Sequence, residues 1–110
     1  MTSETSSLIN VLQEKLNQET AKIDWKSLQV YFAAGKLLEV SEQLDLLEAS
    51  SAVALNKVNQ VQQWMNQGLI GQVSNSLAKQ RFEQDLSVWA VVVKPWILIQ
   101  SLKPSDHLSV

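Results

Sequence analysis

The sequence predicts an α+β fold: a helix-rich single domain with a small, mainly antiparallel sheet and an internal helix-strand-helix repeat. Three observations carry that prediction. Apolar residues recur at helical 3,4 spacing through most of the chain, two of the three glycines stand where such stretches end, and "WAVVVKPWILIQ" (Trp89 to Gln100) alternates like a strand. With 110 residues there is room for one core and not two. A hydrophobic content of 45% is ordinary globular composition. The ordered part is expected to run from about residue 6 to 102, with short polar tails.

Leu8, Val11, Leu12 and Leu16 share one face of a helical wheel behind Ser6 or Ser7 as N-cap, which predicts a first helix over residues 7 to 20. Asp24 can cap a second, with Trp25, Leu28, Tyr31 and Phe32 as its stripe and Gly35 as its left-handed stop. "KLLEV" (36 to 40) then reads as a short strand. Through residues 42 to 67 the apolar positions Leu44, Leu47, Ala54, Val58, Val61 and Met65 keep helical spacing. One helix of that length would span about 38 Å against about 17 Å for a five-residue strand, so the overhang is hard to house. Asn56, a good N-cap residue, offers a break between two helices, and a helical hairpin makes strands 36 to 40 and 69 to 73 antiparallel. Ser74 caps a further helix to about Gln84, carrying Leu77, Arg81 and Phe82.

Residues 25 to 44 laid over 58 to 77, an offset of 33, match in character: Tyr31 falls on Trp64, Phe32 on Met65, Gly35 on Gly68, Leu37 on Ile70, Val40 on Val73 and Ser41 on Ser74. This predicts helix, glycine stop, strand, serine cap and next helix, twice over. Two units are too few for a solenoid, so a facing pair is the economical reading.

In strand alternation Trp89, Val91, Val93, Ile97 and Ile99 share one face, while Ala90, Val92, Trp96 and Leu98 share the other. Both sides are apolar, the mark of a strand covered on both faces. Pro95 donates no ladder hydrogen bond and is compatible with an edge, a bulge or a break between two strands. If helices cover only one face, a partner closes the other. Trp89, Val92, Lys94, Trp96 and Leu98 are the candidate interface, with Trp96 at its centre and a second copy as the expected partner. In the monomeric alternative the first helix folds back over that face. Trp25 and Trp64 read as core.

Nine basic against eleven acidic side chains give a charge of -2, and the lysines are scattered, so no basic stripe tracks a phosphate backbone. Nucleic acid is a disfavoured partner. Without cysteine there is no disulfide, thiol catalysis or cysteine-ligated metal. His107, the one histidine, lies in a polar tail and has no second imidazole to share a metal or serve a serine nucleophile. No phosphate-binding glycine spacing occurs. Asp45 and Glu48 could pair on one helix face behind a serine cap, yet carboxylates in a first turn are explained by the helix dipole. No cofactor or metal is expected. "MTSETSSLIN" lacks the pattern of a secretory leader, and the run from Val88 to Leu102 is broken by Lys94, Pro95 and Gln100. A cytoplasmic location without a membrane partner is the expectation.

The elements "ETAKIDW" (19 to 25), "FAAGKLLEV" (32 to 40), "LDLLE" (44 to 48), "VQQWMNQGLI" (61 to 70) and above all "WAVVVKPWILIQ" resemble a small, mainly bacterial family catalogued as domain of unknown function 2288. The resemblance covers about residues 15 to 100. Where that family often has proline, this chain has Asp24, which bears on where the second helix begins. It implies a whole domain and brings no activity, cofactor or catalytic residue.

Three function classes stay open on these grounds. A non-enzymatic, self-associating interaction or assembly domain leads, since no catalytic constellation is present. A nucleic-acid-binding regulator follows, from the helices that precede a small sheet. An enzyme using only Glu19, Asp45 and Glu48 is third.

Overall fold

Among the described residues, four helices of nine residues are each closed by the same turn. The structure, a computed structural model, describes residues 20–102. In chain order they form β1 (Ala21–Asp24), α1 (Trp25–Ala33), β2 (Leu37–Val40), α2 (Leu46–Ala54), α3 (Val58–Asn66), β3 (Ile70–Gly71), α4 (Asn75–Glu83), β4 (Ser87–Val93) and β5 (Trp96–Ser101). The helix expected over 7 to 20 lies outside the described residues, apart from Thr20.

Asp24, Asp45 and Ser74 cap α1, α2 and α4 by accepting the N–H of the third residue onward. Each helix stops where a left-handed residue follows: Gly35 (φ 71°), Asn56 (57°), Gly68 (75°) and Asp85 (53°). The next N–H then reaches back five residues, from Lys36 to Tyr31, Lys57 to Ala52, Leu69 to Trp64 and Leu86 to Arg81. That is the Schellman stop, used four times. The glycine correspondence at offset 33 is half of a wider regularity. Asn56 is accordingly the stop of α2 and not the expected cap of α3; Lys57 holds the N-cap position without a side-chain hydrogen bond. Ser41 caps no helix either. Its hydroxyl accepts from the Gln43 N–H in a turn, and α2 starts later, at Leu46 behind its cap Asp45.

The five strands form one mixed sheet in the order β1-β4-β5-β2-β3, antiparallel except for the β2–β5 pair. The helical hairpin of α2 and α3 does set β2 and β3 antiparallel, with Val40 opposite Ile70. The fold is α+β, as its sequence predicts. Strand β1 was not among the expected elements; it adds "AKID" along the free edge of β4.

"WAVVVKPWILIQ" is a hairpin turning at Lys94 and Pro95, which join through a cis peptide bond. Val93 pairs with Trp96, Val91 with Leu98 and Trp89 with Gln100. Paired residues face the same way, so alternation restarts at the turn. Trp89 and Trp96 therefore share a face, where continuous alternation would part them.

Both faces of the sheet carry helices. Trp25 and Leu28 of α1 and Ala78 of α4 pack with Leu37, Val88, Ala90, Ile97 and Ile99. Leu46, Ala49 and Ala52 of α2 and Trp64 of α3 pack on the other side with Leu38, Val40, Ile70, Val91 and Leu98. Val91, Leu98 and Ile99 are fully buried, each contributing about 1.5–3 kcal/mol by leaving water. The premise that helices cover only one face fails for a simple reason. Nine-residue helices are short enough for two pairs to fit around one small sheet.

Candidate functional site

Helix α3 carries two apolar faces. Trp64 points into the core and is buried, while Val58, Val61 and Met65 follow 3,4 spacing along a different stripe. Val58 stays 62% exposed and Met65 39%. The tight stop at Asn56 allows only Leu55, Asn56 and Lys57 between α2 and α3, which fixes the start of that stripe beside the end of α2. Across from it stands the β4–β5 turn.

Between them runs a groove of about 450 Å³. Val58, Val61 and Met65 form one wall, Pro95 and Trp96 the other, and Leu38, Ala52 and Val53 also line it. Among the described residues its polar lining consists of Asn56, Gln62, Gln72, Lys57 and Lys94, with no carboxylate. Trp96 is 36% exposed there. The size falls within the ~300–1,000 Å³ typical of binding clefts. Such a surface can exclude water from an apolar side chain; it presents no nucleophile and base pair.

Of the five residues expected at an interface, Lys94 and Trp96 meet in this groove. Leu98 is wholly buried in the chain's own core, and Val92, 49% exposed, lies on the opposite face of the sheet. Trp89 sits on the groove's face but further along the hairpin, opposite Gln100, with the Lys22 ammonium 5.4 Å from its ring centre.

Asp45 and Glu48 line a separate hollow of about 320 Å³ with Lys57, Gln60 and Trp64. The Asp45 carboxylate is engaged by the Glu48 N–H at 3.3 Å, as a helix cap. Glu19 and His107 lie outside the described residues. Among the described residues no three His, Cys, Asp or Glu gather as a metal site, and no helix is long and apolar enough to cross a membrane.

Two polar contacts escaped sequence reasoning. Arg81, 1% exposed, binds Glu39 through two hydrogen bonds and also donates to Ser101. Gln100 donates its amide N–H groups to the carbonyls of Ser41 and Leu44, tying the approach to α2 onto the sheet. The available signal was Arg81 as the single arginine, set at core spacing from Leu77 and Ala78.

No curated protein matches the chain. A family model described as "Protein of unknown function (DUF2288)" matches residues 11–101. The NMR solution structure of PA1075 from Pseudomonas aeruginosa is similar at 41% identity, over 86% of this chain and 88% of that one, with a TM-score of 0.74. With the family model matching most of its length, the chain belongs to the DUF2288 family.

Proposed function

We propose that this chain is a small, cytoplasmic, non-enzymatic interaction domain that docks a partner protein in the groove between α3 and the β4–β5 turn. One observation carries the reading: an apolar stripe on α3 faces an exposed tryptophan across a cleft where no catalytic groups converge among the described residues. Exposed apolar surface of this kind, rimmed by polar side chains, is how protein contacts are commonly built. A second reading, twofold self-association, is favoured by the projecting turn beside a groove. A patch holding both a convex and a concave part can complement itself about a dyad.

A photo-crosslinking amino acid at Gln62, in the groove, is expected to give a discrete protein adduct in cells. The same group at Lys79, outside the groove, is expected to give none, and Met65→Asp should abolish the Gln62 adduct. An adduct at twice the 12.3 kDa chain mass identifies self-association. Equal cross-linking from both positions, or none from either, refutes the groove as the docking surface.

A further inference from the structure

Building on the groove reading, we propose that its occupant is an amphipathic helix of a different protein, with carboxylates flanking the apolar stripe. The helical form follows from α3. Val58, Val61 and Met65 run the length of that helix at the spacing by which one helix seats along another, and the described elements leave them partly uncovered. The charge follows from the groove's described lining, where Lys57 and Lys94 stand with three side-chain amides and no acid; Asp45 and Glu48 border Lys57 only from the separate hollow. Neither lysine forms an ion pair with a described carboxylate. Against a second copy, a twofold contact centred here would bring four lysines together with no acid from the groove lining to offset them. Like charges at close range oppose that pairing, and complementary ones select the partner.

The probes are two labelled synthetic helices with the same leucine stripe, one flanked by glutamates and one by lysines. Titration into the full chain at low salt, read by fluorescence anisotropy, should show the glutamate peptide binding about fivefold tighter, as rim ion pairs allow. At about 1 M salt, where the screening length is ~3 Å, the two should approach parity. Lys57→Glu with Lys94→Glu should invert the preference; both sites are exposed, and circular dichroism checks that the variant is folded. Amide shifts in NMR spectra should centre on Val61, Met65 and Trp96. Equal affinity of both peptides, with shifts in the groove, overturns the charge selection and leaves the docking reading intact. No groove shifts with either peptide overturns both. A wild-type dimer dispersed by the Lys57→Glu, Lys94→Glu pair overturns the inference in favour of a second copy.

Discussion

The Arg81 guanidinium of α4 meets the Glu39 carboxylate of β2 through two parallel hydrogen bonds, 2.7 and 2.9 Å long, 42 residues apart in sequence. Ser101 on β5 takes a third at 2.8 Å, and the Trp25 ring of α1 lies 5.4 Å from the guanidinium carbon. One side chain thus binds two strands and a neighbouring helix on that face. Removing one partner of a buried pair strands a charge, so Glu39→Gln is expected to cost about 3 kcal/mol and Arg81→Ala about 3–5 kcal/mol. Glu39→Leu combined with Arg81→Met should cost far less than the two single changes together, measured by urea titration.

The four helix stops differ in who supplies the left-handed residue. No heavy atom lies within 4 Å of where a Cβ would sit at Gly35 or Gly68. Gly68→Ala should therefore lose only the conformational preference, about 1 kcal/mol. Asn56→Gly is expected to shift stability the other way by several tenths of a kcal/mol, since asparagine already holds a positive φ there. Chemical denaturation of both variants checks the opposed signs.

Ser50 is fully buried on α2, and its hydroxyl has no hydrogen-bond partner among the described residues. Burying that hydroxyl costs free energy without return. Ser50→Ala is expected to stabilise the chain by up to about 1 kcal/mol. A melting temperature several degrees above wild type would agree.

Gln100 is a clamp on the turn before α2, at 2.8 Å from the Ser41 carbonyl and 2.7 Å from that of Leu44. Gln100→Leu keeps the volume but leaves both carbonyls without this donor, at an expected cost of about 1–3 kcal/mol. Faster hydrogen exchange confined to residues 41–46 would localise the loss.

Much of the fold was legible because local rules carried it. Gly35 and Gly68 read as stops since a left-handed residue is nearly free only for glycine, and Asp24 and Ser74 read as caps since their neighbours begin apolar stripes. Asn56 was harder. The same side chain suits an N-cap and a left-handed stop, and tertiary placement chose the second. The faces of β4 and β5 were misassigned because a two-residue turn pairs an odd-numbered residue with an even-numbered one, and a turn's length is not written in alternation. Trp96 and Lys94 were legible as candidates through their position at Pro95. The groove was not, because it joins Val58 to Trp96 through packing that no local pattern encodes.

Strand β5 occupies the middle of the sheet, with β4 on one side and β2 on the other. Among the described strands it is also the last in chain order. Without it, the β1–β4 ladder and the β2–β3 ladder would have no hydrogen-bonded link between them. The same strand supplies Leu98 to the core on one face and Ile97 and Ile99 to the core on the other, so it joins the two faces as well as the two ladders. The two ladders are joined only when the latest of the described strands slides between two earlier ones, so the link across the sheet is its most non-local step.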